Sequence, residues 1–504
     1  MSKNKKCVLI MTDTTRRDML GCYGNEAMKT PNLDKLSKEG VRFDNAYSCQ
    51  PVCGPARSAI FTGLMPHSNG VVSNCVPLGC DVKNLGQMLS DHDVHSAYIG
   101  KWHLDGYDYF GSGVAPKGWD RDAWYDMKCY LGELTPEERI KSRQPKTAFE
   151  PGLTEDFTYA HRCTKRALDF LDKHSDEEFM LVVSYDEPHG PCLCPAPWNT
   201  MYRGFKWPDN PNFSDDLSKK PMMQRLWSKD DINKSADEIN RPSDMLALFL
   251  GCNSFVDYEI GKVLDKIEKV CPDAMVIFTS DHGDMLGNHR LQMKNAACYK
   301  EIANIPLIIK NGNNAGAVCK HMASHIDLAP TILDYFGIEK PAVLEGNSIL
   351  KQVDNPDLVM REAAFTEWTR YEQDHDGFGG FQMMRAVTTE NFKLVIHLCD
   401  SDEFYDLRND PYEVNNLIDN PKYEKERNHL HDLIIDHMNQ TRDVYRGYQW
   451  ACRPWRKDKE PSWENEGYTR QRNNEPLEPR PLDYDTGLEI SEYQRPKTTN
   501  DVKN

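Results

Sequence analysis

The sequence predicts an α/β protein whose mostly parallel sheet is flanked by helices and followed by a small α+β unit with an antiparallel sheet. Five short runs rich in Val, Ile and Leu carry most of this reading. Cys7–Thr12, His95–Gly100, Phe179–Ser184, Met275–Ser280 and Ile305–Lys310 read as buried strands. Between them Thr154–Lys173 and Ser243–Val270 have helical periodicity, the second with Ser243 and Asp244 as candidate N-caps. Strands alternating with helices imply a parallel sheet covered on both faces. From about Arg385 the texture changes. Arg385–Thr388 and Asn391–His397 read as antiparallel strands around a Thr-Glu-Asn turn, and a helix is expected over Pro421–Met438.

These elements divide the chain into a catalytic domain over 1–383, a C-terminal α+β subdomain over 384–440 and an extended arm over 441–504. Residues 198–242, rich in Pro and Trp, interrupt the alternation and read as a surface insertion near the site. The 504 residues are 39% hydrophobic and 28% charged, enough apolar material for a large core. A formal net charge of −17 argues against nucleic-acid and anionic-membrane partners, which need a basic surface. The leading apolar run is only Val8–Met11, too short for a signal peptide, and no run has the length of a membrane helix. The 16 cysteines contain no C-x-x-C pair and read as reduced thiols of a cytoplasmic protein.

Polar residues follow the strands in a regular way. Asp13 follows the first run, Lys101 and His103 the second, Asp186 and His189 the third, and Asp281 and His282 the fourth. In a parallel sheet these positions share one rim, where ligands bind. Alone, each is an ordinary loop residue; four at equivalent strand ends indicate a site.

The central element is Cys49-Gln-Pro-Val-Cys53-Gly-Pro55-Ala-Arg57-Ser-Ala-Ile-Phe-Thr-Gly63. Pro55 suits the first turn of a helix reaching to about Leu64. Cys53 then stands at a helix N-terminus, where free N–H groups favour an anion, and Arg57 can reach back toward it.

Cys53-x-Pro55-x-Arg57 with Thr62-Gly63 resembles the signature of the type I, formylglycine-dependent sulfatases of the alkaline-phosphatase-like superfamily. Further matches follow in order: Gly100-Lys101-Trp102-His103-Leu104, Asp186-Glu-Pro-His189-Gly-Pro191, Thr279-Ser-Asp281-His282-Gly283, Lys294, and the stretch from Tyr405 to Leu417. The resemblance covers about residues 5–440, and its pattern is most similar to a bacterial subgroup without signal peptides. It implies an alkaline-phosphatase-like core and a sulfuric ester hydrolase. Cys53 would be oxidised to formylglycine by a maturation enzyme, and the hydrate would be the nucleophile. Asp13, Asp281, His282 and the converted Cys53 would hold one divalent metal, Ca2+ by family habit, with Mn2+ or Mg2+ close behind. Arg57 would stabilise the hydrate, and Lys101 and Lys294 would bind sulfate. Asn74 stands where the related phosphonate monoester hydrolases keep an active-site Asn, and is expected at the substrate.

The chemistry accounts for these residue types. A transferring sulfuryl group needs preorganised positive charge, which a metal, Arg57 and the lysines supply. The departing alkoxide needs a proton, for which His189 is the expected donor, and His103 is placed to take one from the hydrate. Two positions depart from the family: Thr14 replaces a second metal-binding Asp, and His282 replaces a frequent Asn. An imidazole ligand suits Mn, Zn or Fe better than Ca.

The expected substrate is a small sulfated sugar, contacted by Arg370 and His375 in an aromatic, Gly-rich loop. A phosphonate monoester or phosphodiester hydrolase is the alternative, and a silent binding protein of the same fold a third reading, disfavoured by the complete motif. The arm beyond Thr441 contains Tyr445, Tyr448, Trp450, Trp455 and Trp463, so it is expected to lie ordered on a surface, its own or that of a second copy in a homo-oligomer.

Overall fold

A computed structural model describes residues 4–312, 314–372, 381–459 and 484–486. Seven strands form the first sheet: β1 (Lys6–Asp13), β2 (Val41–Tyr47), β3 (His95–Gly100), β4 (Phe179–Pro188), β5 (Met275–Ser280), β6 (Asn304–Lys310) and β7 (Val318–Ser324). Their order is β3-β4-β1-β5-β6-β2-β7. All neighbours pair in parallel except β6, which runs antiparallel to both β5 and β2. The run Ile305–Lys310 is therefore a strand as expected, but of opposite direction, which an apolar run does not encode. Four further strands make an antiparallel sheet in the order β11-β10-β9-β8: β8 (Ala363–Trp368), β9 (Met384–Thr389), β10 (Phe392–His397) and β11 (Glu403–Asp406). Its edge strand β8 comes from ahead of the expected boundary at 384.

The helices of nine residues or more are α1 (Pro31–Glu39), α2 (Cys53–Thr62), α3 (Tyr159–His174), α4 (Asp244–Val270), α5 (Leu328–Phe336) and α6 (Glu424–Gln440). Alternation along β1 assigns them to faces. Val8 and Ile10 pack with Leu33 and Leu36 of α1, Phe170 and Leu171 of α3, and Phe255 and Ile260 of α4. Cys7, Leu9 and Met11 pack on the other face with Ile60 and Phe61 of α2 and Ile332 of α5. The Ser243 side chain caps α4 by accepting the Leu246 N–H.

The insertion is more than a surface excursion. Its Leu217 and Trp227 pack with Met285, Leu291, Tyr299 and Tyr405. It thus wedges between a loop of the first sheet and the second sheet. The start of the arm is folded as well: Trp450 is buried among Val387, Leu394, Ile396 and Leu430. Further along the arm, Asp485 pairs with Lys83 at 2.9 Å and its carbonyl accepts the Ala342 N–H at 3.1 Å, while Trp463 lies outside the described residues. Among the described residues no helix is long and apolar enough to cross a membrane.

Candidate active site

β3, β4, β1 and β5 are adjacent, so the four polar clusters at their ends meet on one rim. Thr12 pairs with Ser280 across β1 and β5, and the next residues, Asp13 and Asp281, therefore leave the sheet side by side. Gly100 pairs with Ser184 across β3 and β4, which brings Lys101 beside Asp186. At Gly100 φ is +120°, and a Cβ would stand 1.9 Å from the Ser184 carbonyl oxygen. Only glycine lets β3 end so close to β4.

Helix α2 aims its N-terminus at this rim. Cys53 is its first residue, and Gly63 ends it in the left-handed region at φ 68°. Val52 before it offers no side-chain cap. Asn74 takes that role from a distance: its Oδ1 accepts the Gly54 N–H at 2.8 Å. Asn74, expected at the substrate, is thus tied to the turn bearing Cys53 and is 5% exposed.

Asp13, Cys53, Asp281 and His282 converge, each with one ligand atom within 4.8 Å of the others. Cys53 Sγ lies 3.2 Å from His282 Nε2 and 3.8 Å from Asp13 Oδ1. His282 Nε2 is 4.0 Å from Asp13 Oδ1 and 3.8 Å from Asp281 Oδ1. These edges suit a polyhedron around a single cation. His282 Nδ1 faces the Gly283 carbonyl at 2.8 Å, so it carries the proton and Nε2 turns a lone pair into the cluster. Burial and the neighbouring Asp13 charge push Asp281 up, the expected result of two carboxylates sharing a buried site. A divalent cation would offset both effects, so the residues fit the metal that the family implies. Thr14, at φ 69°, bridges the pair: its N–H donates to Asp281 Oδ1 at 3.1 Å and its hydroxyl to Asp13 Oδ1 at 2.6 Å.

Arg57 reaches back as expected, but onto carboxylates. Its Nη2 meets Asp13 Oδ2 and its Nε meets Asp281 Oδ2, both at 3.0 Å, while Nη1 donates to Lys101 O and Ser184 Oγ. Lys101 Nζ lies 2.8 Å from Asp13 Oδ2 and 2.9 Å from Asp186 Oδ1. Burial opposes its charge, yet Asp13 and Asp186 hold its pKa well above the usual lysine value. Lys294 is 5% exposed, and its charge persists against burial because Cys53, Tyr371 and Asp13 face it. Asp284 Oδ1 fixes its loop by accepting the N–H groups of Leu286 and Met293, and Trp227 of the insertion donates to Gln292 O at 3.0 Å.

His103 is buried at φ 62°, and burial with the Lys101 and Arg57 charges holds its pKa far below the usual histidine value. His189 is half-buried on the turn after β4. Burial, then the Lys101 and Lys294 charges, hold its pKa down at about 3. Its ring lies 5.6 Å from that of Tyr109, whose hydroxyl accepts from Arg143 at 2.8 Å. Sequence reasoning missed this Tyr109–Arg143 pair, which sits in loops without a motif. It also passed over Asp186 as a lysine partner, although its place just after the apolar run Phe179–Ser184, inside the longer β4, was a usable signal. Cys53, expected on an exposed rim, is 2% exposed, its sulfur turned into the buried cluster against His282 and Asp13. Arg370 is half-buried, and its carbonyl accepts from Gln50 while the Tyr371 carbonyl accepts the Asn74 N–H. This stitches the expected sugar-contacting segment to the site. His375 lies outside the described residues.

Fold and site together define a hydrolase of the alkaline-phosphatase-like superfamily. The chain belongs to the sulfatase family, and it is a sulfuric ester hydrolase: residues 5–338 match the sulfatase model, and residues 287–440 match that of N-sulphoglucosamine sulphohydrolase, C-terminal. It is 42% identical over 495 residues to the uncharacterized sulfatase YidJ of Escherichia coli (strain K12), covering 96% of this chain and 97% of YidJ. An N-acetylglucosamine-6-O-sulfatase of Bacteroides thetaiotaomicron is 26% identical over 517 residues, 88% of each chain. A crystal structure of the phosphonate monoester hydrolase of Agrobacterium radiobacter shares the fold, with a TM-score of 0.75 at 21% identity over 87% of this chain and 96% of that one.

Proposed function

We propose that the chain releases sulfate from a small carbohydrate sulfate ester, with Cys53 converted to formylglycine and one divalent metal held by Asp13, Asp281, His282 and the converted residue. The observation that carries this reading is the convergence of Asp13, Cys53, Asp281 and His282 beneath three buried cations, Arg57, Lys101 and Lys294. The formylglycine hydrate supplies the nucleophilic oxygen, and the metal supplies Lewis acidity. Ca2+ is the proposed ion, with Mn2+ favoured next by the His282 nitrogen and Mg2+ after it.

The chain's own side chains then do the following. Lys101 and Lys294 bind the sulfate oxygens from two sides and hold the charge that builds on them. Arg57 keeps both carboxylates oriented and adds positive charge under residue 53. Sulfate between the lysines offsets the field that keeps His189 neutral, so His189 can hold a proton and give it to the leaving oxygen. His103, kept neutral by Lys101 and Arg57, accepts the proton that must leave the hydrate. Arg370 and His375 contact the sugar. The formylglycine-forming maturation enzyme acts before α2 packs, since Cys53 is inaccessible afterwards. A cytoplasmic location belongs to this reading and is supported by sixteen free thiols.

Thr14 and His282 favour a second reading, hydrolysis of phosphonate monoesters or phosphodiesters by the same nucleophile. Comparing kcat/KM for an aryl sulfate and an aryl phosphonate monoester decides between them. The sulfate should be preferred; a reversed preference establishes the second reading.

A further inference from the structure

At the opposite end of the sheet from the site, four side chains meet that the hydrolytic chemistry does not use. His95 opens β3, His174 ends α3, Glu177 lies in the turn that leads into β4, and Asp120 stands in the loop after β3. Glu177 Oε2 is 3.2 Å from His95 Nδ1 and 3.0 Å from His174 Nδ1, and the three ligand atoms lie within 4.8 Å of one another. β3 separates this cluster from Lys101 by six residue steps, roughly 20 Å of strand.

The orientation of His95 sets the cluster apart from a chance surface contact. Its Nε2 faces Asp120 Oδ2 at 2.8 Å, and Asp120 is itself held by the Asp122 N–H on Oδ1 at 2.9 Å. Both ring nitrogens of His95 thus face carboxylate oxygens, so a single imidazole proton satisfies only one of them and the second contact calls for a further proton or a metal cation. A carboxylate behind a ligating histidine is the usual partner arrangement in metal sites. Both imidazoles are also fixed by packing. Their ring centroids are 4.7 Å apart, and the buried Phe170 ring lies 5.4 Å from His95 and 4.5 Å from His174. Each histidine side chain is 26% exposed and Glu177 51%, so an ion has access from solvent.

We propose that His95, His174 and Glu177 form a second metal site, for a zinc-class divalent ion with one position left to water. Two imidazoles with one carboxylate suit Zn2+ and disfavour Ca2+ or Mg2+. The ion joins the end of α3 to the starts of β3 and β4 and binds the folded chain alone, so it raises the melting temperature.

The test is zinc titration calorimetry on the full chain beside His95→Gln, His174→Gln and Glu177→Gln, with melting temperature and aryl sulfate turnover measured on each. The wild-type chain should bind one more equivalent of zinc than each variant, at micromolar affinity or tighter. Its zinc-dependent rise in melting temperature should be lost in the variants while turnover is retained. Equal zinc stoichiometry in the wild type and the turnover-competent variants overturns the proposal. Should a histidine variant fail to fold, Glu177→Gln, which keeps shape on an exposed turn, decides the outcome.

Discussion

Asn74 Oδ1 accepts the Gly54 N–H at 2.8 Å, one residue beyond Cys53. The residue expected to touch substrate completes the cap of the helix that presents the nucleophile. Asn74→Ala should lower kcat by roughly 100-fold through misplacement of residue 53, with a smaller change in KM. Asn74→Asp, which keeps the acceptor, should recover most of the loss. A pure KM effect would return Asn74 to the substrate.

Thr14 stands at φ 69°, a conformation that a β-branched residue adopts under strain, and it hydrogen-bonds both carboxylates of the candidate metal site. Thr14→Asp eases the backbone and adds a third oxygen anion. The variant should bind Ca2+ more tightly, by about tenfold or more, and depend more on it for thermal stability. Calorimetric titration with Ca2+ and Mn2+ checks this; an unchanged Ca2+/Mn2+ preference contradicts it.

A second buried cluster holds the two sheets together. His67 Nδ1 lies 2.5 Å from Glu367 Oε2 and its Nε2 3.0 Å from Thr441 Oγ1, while Arg385 pairs with Asp443 at 2.6 Å. Burial lowers the His67 pKa, but Glu367 raises it more, so the net shift is upward from 6.5. A raised histidine gives stability that is full below its unfolded pKa and lost as pH climbs through the folded value. Glu345, pushed up to about 7 by burial, loses its folded-state proton in the same direction. The His67 contribution to the melting temperature should therefore fall from pH 6.5 to 8, so wild type should lose stability relative to His67→Gln across that range. Identical slopes in both proteins would contradict the assignment.

The folded start of the arm carries stability. Trp450 is 1% exposed, Trp455 donates to Asp402 at 2.8 Å, and Asp443 is the partner of Arg385. Truncation after Met438 removes all three and should cost at least the ~3–5 kcal/mol of one buried tryptophan. Differential scanning calorimetry should show a lower melting temperature; an unchanged one would make the arm dispensable. Light scattering on the same pair reads the expected homo-oligomer through a fall in mass.

How much of this was legible in the sequence follows from the physics of each element. β1, β3, β4 and β5 are buried on both faces, so they stand out as apolar runs with a polar residue at the end. β2, Val41-Arg-Phe-Asp-Asn-Ala-Tyr47, and β7, Val318-Cys-Lys-His-Met-Ala-Ser324, mix charge with apolar residues and leave no such trace. β11 has only four residues. Candidate ligands were readable because they directly follow strands. The burial of Cys53 and the helix-capping role of Asn74 were not, since both depend on loops far apart in sequence.

The most direct test of the central claim is peptide mass spectrometry across Cys53 on preparations with graded turnover of an aryl sulfate. Conversion to formylglycine lowers the peptide mass by about 18 Da relative to the thiol, a shift from covalent chemistry. Turnover should rise in proportion to the converted fraction and vanish in Cys53→Ala. Full activity in protein whose peptide carries only unmodified cysteine would contradict the account.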